Sequence, residues 1–141
     1  MLDMIYASHQ LLSQLEATPR DYGTGDLLYA SEIHTIVAIG RNPGSNLTRL
    51  AELLGVSKPA AFKFVRKLAA SKYIQRGYLP DNKKEVSFTL TEKGKEALSA
   101  HQTFTHNMFG PLRTLESKLS PSDRETVGSY LTSLIEQCPW R

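Results

Sequence analysis

A cationic cluster lies in the middle of the sequence, in the stretch GVSKPAAFKFVRKL from Gly55 to Leu68, which holds three lysines and one arginine. Side chains of this kind neutralise phosphates and hydrogen-bond to base edges. Residues 41–95 contain twelve Lys or Arg against four Asp or Glu, whereas residues 1–40 contain one against five and residues 96–141 four against five. A cationic middle between near-neutral ends predicts a polyanion-binding module, with a solvated charged face as the alternative.

The apolar residues of this region have the spacing of a helix-turn-helix over Leu47–Leu68. Ala51 is small where two helices would cross, and Gly55 is free to adopt the positive φ of a tight turn. Four inward residues of the second helix follow an i, i+3, i+4, i+7 stripe. The predicted core residues of the motif are Leu50, Leu54, Val56, Ala61, Phe64, Val65 and Leu68.

The remaining positions of the second helix face outward, where a helix of this motif enters the major groove of DNA. Lys63 and Arg66 are the candidates for contacts with base edges, and Lys58 and Lys67 are the candidates for phosphate contacts. The predicted DNA-binding residues of this helix are Ser57, Lys58, Pro59, Ala60, Phe62, Lys63, Arg66 and Lys67.

Pro59 and Phe62 are the unusual residues on this outward face. Pro59 is compatible with a helix because Ser57 is the predicted N-cap, and first-turn amides have no partner within a helix. Phe62 has two interpretations that the sequence leaves open. Its ring contacts thymine methyls in the groove, or it packs on the stems of neighbouring helices.

Outside this motif, helical periodicity gives way to turn signals and then to strands. The stretch TPRDYGTGD (Thr18–Asp26) predicts a loop. A period of two predicts a β-hairpin of Tyr73–Leu79 and Glu85–Leu90, joined by PDNK (Pro80–Lys83). Helices are predicted over residues 2–17, 27–39 (ended by Gly40), 47–54 (with Asn46 as N-cap), 58–71, from the segment 90–94 to residue 116, and 120–137.

The hairpin carries a second group of charged residues. Arg76, Lys83 and Lys84 lie near its base and tip. A wing beside the recognition helix brings such residues towards the minor groove, so all three are predicted to bind DNA, with a charged, solvated hairpin as the alternative. Asp81 repels DNA, and its predicted role is to hold Lys83 or Arg76 in place by a charge-assisted hydrogen bond.

These motifs together resemble the MarR family of transcriptional regulators. The matching stretches are NLTRLAELLGVS (Asn46–Ser57) with the helix to Leu68, DNKK (Asp81–Lys84) and LTEKG (Leu90–Gly94). The weaker matches are SEIHTIVAIG (Ser31–Gly40) and LSPSDRE (Leu119–Glu125), so that the resemblance covers nearly the whole chain.

The resemblance implies a mainly α fold with a small β-hairpin. A winged helix-turn-helix at residues 29–95 would be embedded in a helical dimerisation region of residues 1–28 and 96–141. Such proteins form two-fold, triangular homodimers that bind double-stranded, pseudo-palindromic operators with half-sites about 34 Å apart. They act most often as repressors, and a small-molecule or metal effector modulates their DNA affinity.

The chain departs from the family pattern at three positions. Lys83 replaces the usual wing arginine, and lysine lacks the guanidinium fork that suits a narrow groove. Lys72 replaces the usual glycine after the recognition helix, which predicts a different helix end or local strain there. Phe62 replaces a small hydroxyl residue, so the base preferences of the family do not transfer at this position.

Zinc-sensing members of the family bind the metal through a Glu/His pair on the second helix and histidines on the fifth. Glu32, His34, His101 and His106 are the corresponding candidates here, since imidazole and carboxylate groups suit zinc. His101 and His106 point about 140° apart on a helix, which is unfavourable for chelation. Histidines at a helix surface or an interface are therefore the preferred interpretation, and no cofactor is predicted.

The sequence argues against several other classes of protein. It has no G-x-x-x-x-G-K-[ST], H-E-x-x-H or G-x-S-x-G motif, so an enzyme is not predicted. An enzyme acting on nucleic acid and a winged-helix protein-interaction module remain the alternatives. The sequence contains no apolar run of about 18 residues, so no membrane span is predicted. The lone Cys138 forms no intrachain disulfide, and a cytoplasmic location is expected.

Overall fold

The computed structural model describes residues 1–79 and 82–137, except for the side chains of residues 79 and 82–84. The chain divides into two compact units, Met1–Gln102 and Thr103–Arg141. The helices are α1 (Leu2–Ala17), α2 (Ala30–Arg41), α3 (Leu47–Leu54), α4 (Lys58–Ala70), α5 (Glu92–Glu116) and α6 (Pro121–Gln137). The strands are β1 (Arg20–Asp21), β2 (Leu27–Leu28), β3 (Ser45–Asn46), β4 (Ile74–Leu79) and β5 (Asn82–Leu90).

The helix-turn-helix forms where the sequence predicts it, for local reasons that the structure confirms. The side chain of Asn46 accepts a hydrogen bond from Arg49 N–H at 2.7 Å and so caps the start of α3. Gly55 ends that helix in the left-handed conformation, with φ of 64°. Ser57 then caps α4, which begins with Lys58 and Pro59 in its first turn.

The second helix begins and ends later than the sequence predicts. Leu27 and Leu28, predicted to be helical, instead pair with Asp21 and Arg20 in the short antiparallel ladder of β1 and β2. The loop prediction for residues 18–26 is correspondingly wrong at its β1 positions. Gly40 does not end α2, because the helix continues to Arg41.

The wing is a three-stranded sheet rather than a hairpin alone, with the strand order β3-β5-β4. The unpredicted strand β3 pairs antiparallel with β5, so that Ser45 lies opposite Phe88. Two residues are too few to show a strand period in a sequence. β4 begins one residue after the predicted start, and β5 begins three residues before it. Pro80 and Asp81 of the predicted turn lie outside the described residues, whereas its other two residues, Asn82 and Lys83, already belong to β5.

The core of the first unit is built from α2, the helix-turn-helix and the wing sheet. Leu50, Ala61, Val65 and Leu68 are buried as predicted, whereas Leu54, Val56 and Phe64 are only partly buried. The other fully buried large side chains are those of Ile33, Thr35, Ile36, Ile39 and Tyr73. Both helices of the motif thus rest on a packed apolar support.

The junction between α4 and α5 explains the LTEKG segment in physical terms. Thr91 Oγ1 donates to the carbonyl oxygens of Lys72 (2.6 Å) and Tyr73 (3.0 Å) and accepts from Gly94 N–H at 3.2 Å. A Cβ atom on Gly94 would lie 2.1 Å from the Tyr73 carbonyl oxygen, so only glycine fits this approach. The start of α5 is therefore fastened to the end of the recognition helix.

The second unit contains the remainder of α5 and all of α6. Pro121 occupies the first turn of α6, as predicted. Asp123 accepts hydrogen bonds from Ser120 N–H (3.1 Å) and Ser120 Oγ (2.6 Å), which fixes the start of this helix. No residue of α6 is buried within the chain. Cys138 lies outside the described residues. None of the helices in the described ranges is long and apolar enough to cross a membrane.

Candidate nucleic-acid interface

The recognition helix α4 has one buried face and one exposed basic face. Ala61, Val65 and Leu68 are at most 1% exposed and point into the core. The opposite face carries the residues that the sequence predicts at DNA. Of these, Ser57, Lys58, Pro59, Phe62, Lys63, Arg66 and Lys67 are exposed, and Ala60 is partly buried.

Three cations on this face have no counterion among the described residues. Lys58, Lys63 and Arg66 form no ion pair with any described residue of the chain. A charge that is not neutralised internally remains available to a polyanion. These side chains are therefore the strongest candidates for contacts with a phosphate backbone or a base edge.

Lys67 differs from the other cations because it pairs with a buried carboxylate. Its ammonium group forms an ion pair with Glu32 Oε1 and lies 5.6 Å from the centre of the Tyr29 ring. The other oxygen of Glu32 accepts from Tyr29 N–H at 2.9 Å. Glu32 is only 3% exposed, and its hydrogen bond raises the pKa of Lys67. The DNA contact of Lys67 stays a prediction, and the structure adds a role in joining α4 to α2.

Phe62 lies within the exposed face rather than in the core. Its relative exposure is 47%. It forms no ring–ring or cation–π contact with another described residue. Packing within the chain therefore leaves about half of this large apolar side chain in water.

The wing has one side chain of the predicted set within the described residues. Arg76 is exposed on β4, opposite Phe88 of β5. The backbones of Lys83 and Lys84 belong to β5, but their side chains lie outside the described residues, as does Asp81. Their DNA contacts stay predictions, as does the bond expected between Asp81 and Lys83 or Arg76.

A wing contact that sequence reasoning missed joins β5 to the helix-turn-helix. Asn46 Nδ2 donates a hydrogen bond to Glu85 Oε1, while Asn46 Oδ1 caps α3. The two residues are 39 positions apart, so no local pattern indicates the contact. One asparagine side chain thus fixes both the start of α3 and its position beside the wing.

A polar network behind the interface was also missed. The buried Tyr73 hydroxyl lies 2.5 Å from Thr24 Oγ1 and donates to Asp26 Oδ2 at 3.1 Å. Lys93 Nζ donates to the same carboxylate at 2.6 Å and lies 4.4 Å from the centre of the Tyr73 ring. The hydrogen bond from Lys93 is the main reason that the pKa of Asp26 is lowered. The network fastens the loop before α2 to the residues that follow the recognition helix.

The candidate metal ligands do not assemble into one site in the described part of the chain. The His34 and His101 rings are 6.1 Å apart, and Tyr22 lies 5.5 Å from His101. Burial is the main cause of the lowered pKa of His101, and the charges of His34 and Arg41 add to it. Both Glu32 oxygens are already bonded, as described above.

His106 is exposed and belongs to the second unit. No group of three His, Cys, Asp or Glu side chains among the described residues is placed to hold a metal ion.

A helix-turn-helix with an exposed basic second helix, followed by a small antiparallel wing sheet, defines a winged helix-turn-helix protein. The MarR family model matches residues 28–86, which span α2, the helix-turn-helix and most of the wing. The chain belongs to the MarR family.

Two curated relatives come from Bacillus subtilis (strain 168). The HTH-type transcriptional regulator PchR is 36% identical over 104 residues, which cover 74% of this chain and 62% of PchR. YhjH, also named an HTH-type transcriptional regulator, is 33% identical over 94 residues, which cover 67% of this chain and 54% of YhjH. The matched residues thus span between half and two thirds of these relatives.

A solved structure extends the likeness to nearly the whole fold. Lactococcus lactis ZitR in complex with DNA matches this chain with a TM-score of 0.74 at 20% identity. The match covers 97% of each chain. The helices outside the family match therefore belong to the same fold, as the sequence predicts.

Proposed function

We propose that the protein is a dimeric, sequence-specific DNA-binding transcriptional regulator that acts as a repressor. The observation that supports this most strongly is the exposed face of α4, where Lys58, Lys63 and Arg66 form no ion pair with the residues that the structure describes. The opposite face of the helix is packed. A rigid helix with uncompensated cations suits the major groove of a phosphate-lined duplex. A cytoplasmic location belongs to the same proposal.

Affinity and sequence preference come from different side chains in this proposal. Lys58 contacts phosphates, which gives binding that depends strongly on salt. Lys63 and Arg66 contact base edges, where the fork of arginine suits O6 and N7 of guanine. Arg76, with Lys83 and Lys84 of the wing, lies along the backbone and the adjacent minor groove.

Exposed apolar side chains support the dimer. No residue of α1 is buried within the chain, although Leu2, Met4 and Leu11 are apolar and exposed. The helix α6 has the same property. A second copy that covers these faces places two recognition helices on a pseudo-palindromic operator.

An effector modulates DNA binding in this proposal by favouring one separation of the two recognition helices, as a population shift. ZitR is described as zinc-responsive. The candidate residues here do not fit zinc, because the Glu32 carboxylate is engaged by Lys67 and Tyr29 N–H. We therefore propose no metal step, and a small molecule is the effector class that remains.

Two other function classes fit the geometry less well. A nucleic-acid-processing enzyme needs a nucleophile with a base, a carboxylate pair or a phosphate loop. The cations of α4 supply none of these groups. A protein-interaction module needs an acidic partner for the same face, and it predicts no preference among DNA sequences.

The test compares the duplex upstream of the protein's own gene with a random duplex of equal length and composition, over a series of salt concentrations. The upstream duplex is expected to bind about a thousandfold tighter or more. Arg66→Ala should reduce that preference. Lys58→Ala should weaken binding to both duplexes alike. It should also lower by about one the slope of the logarithm of affinity against the logarithm of salt concentration. Equal affinity of the native protein for both duplexes would contradict the proposal.

A further inference from the structure

Phe62 is the one large apolar side chain on the exposed face of α4, a helix that the structure describes throughout. The residue is 47% exposed. Burying a phenylalanine is favourable by an amount that grows with the apolar area removed from water. This exposed ring is therefore a surface that a ligand of the helix would cover.

The neighbours of Phe62 indicate the kind of ligand. Lys58 and Arg66 lie one helical turn before and after it, and Lys63 follows it directly. All three are exposed and have no ion pair within the described residues. A cationic border favours an anionic ligand, while the ring at its centre requires an apolar group on that ligand.

The position of Phe62 along the helix indicates which apolar group of the ligand it would contact. It is the fifth residue of α4, which begins at Lys58. The N-terminal part of a recognition helix is the part that contacts base edges, whereas phosphates lie outside it. The C5 methyl of thymine is the apolar group that a base edge presents in the major groove.

We propose that Phe62 is a specificity-determining residue that contacts the C5 methyl group of one thymine in each half-site. This inference rests on the proposed function and deepens it, because it assigns a chemical group on the DNA to one side chain. Lys63 and Arg66 supply hydrogen bonds beside this contact, and Phe62 supplies discrimination by shape and hydrophobic burial.

Replacement of thymine by deoxyuridine tests the contact, because it removes the C5 methyl and leaves the Watson–Crick and groove hydrogen bonds in place. The full-length protein first selects duplexes from a random library. Each thymine of the enriched duplex is then replaced singly by deoxyuridine, and affinities are measured at one fixed salt concentration. The native protein should lose about fourfold in affinity at one position of each half-site, the effect of one buried methyl group.

Variants of the helix assign that loss to Phe62. Phe62→Ala should bind the thymine and deoxyuridine duplexes equally, and Phe62→Leu should retain part of the difference. Lys63→Ala is the matched control on the same face, with weaker binding to both duplexes and an unchanged ratio between them. Because Phe62 is exposed, thermal unfolding of its variants should remain close to that of the native protein.

Three results would overturn the inference. The first is that the native protein binds the thymine and deoxyuridine duplexes equally at every position, and the second is that Phe62→Ala retains the full difference. In either case the selected duplex still binds selectively, so the proposed function stands. If selection enriches no sequence at all, the proposed function fails together with the inference.

Discussion

Lys72 has a left-handed backbone conformation, which ordinarily favours glycine. Its φ is 63°, and it is the only non-glycine residue with positive φ among those described. Its N–H donates to the Ala69 carbonyl at 3.1 Å, and Tyr73 N–H donates to the Leu68 carbonyl at 2.9 Å. These bonds close the last turn of α4, which is why the left-handed conformation is kept despite its strain.

Lys72→Gly is expected to raise the free energy of unfolding by about 1 kcal/mol, because glycine adopts this φ without the Cβ clash. Urea unfolding monitored by circular dichroism measures the change. Lys72→Ala is the matched control, since it removes the charge and keeps the strain, and it should give no comparable gain. An equal gain in both variants would show that the charge, and not φ, is responsible.

At the scale of elements, the recognition helix is held in position by contacts with the elements around it. The ion pair between Lys67 and Glu32 joins α4 to α2, and Thr91 and Gly94 join its end to α5. The contact between Asn46 and Glu85 places the wing beside α3. The basic face is therefore presented by a helix whose neighbours fix its position.

The ion pair between Glu32 and Lys67 should couple α2 and α4 energetically. Glu32→Gln keeps an acceptor for Tyr29 N–H and should lower the free energy of unfolding by about 1 kcal/mol. The loss is small because the ammonium group of Lys67 is exposed to water, which weakens the ion pair. Lys67→Met should cost more, about 2 kcal/mol, because it leaves a buried carboxylate without its cation. In a double-mutant cycle measured by urea unfolding, the two changes should be clearly non-additive.

The exposed pair of Arg49 and Glu52 is the matched control for this cycle. The side chains of Arg49 and Glu52 are 56% and 61% exposed, and Arg49 Nη1 lies 3.3 Å from Glu52 Oε2. A solvated pair of this kind should couple by only a few tenths of a kcal/mol. Equal coupling in the two cycles would mean that burial of Glu32 adds nothing to the ion pair.

At the scale of the whole molecule, the feature that stands out is the apolar surface left on the helices of the second unit. Val127, Leu131 and Ile135 follow helical spacing along α6, and each is exposed. Helices with an apolar face of this kind require a partner surface in water. Assembly with a second copy is therefore expected to be necessary for stable folding of this region.

Leu131→Glu is expected to weaken the dimer at least tenfold, because it places a carboxylate within a buried apolar contact. Sedimentation equilibrium over a range of micromolar concentrations gives the dissociation constant. Ser129→Glu introduces the same charge on the opposite side of α6 and should leave assembly nearly unchanged. A native protein that stays monomeric over this range would contradict the dimer, as would an equal effect of both substitutions.

The sequence by itself determined the helix-turn-helix, because its signals are local. Asn46, Gly55 and Ser57 act within a few residues of their own positions, and the apolar stripe of α4 has a period that only a helix satisfies. The bounds of α3 were predicted without error for this reason. The exposed basic face follows directly from the same stripe.

Only the tertiary structure showed which of those cations forms an ion pair within the described part of the chain, and this is Lys67. Glu32 lies 35 positions before Lys67, and no local pattern joins them. The pairing of β3 with β5 and the bond from Asn46 to Glu85 are equally non-local. The apolar period and the capping residues depend only on neighbours along the chain. Contacts between residues far apart in the sequence depend on how the packed core brings them together.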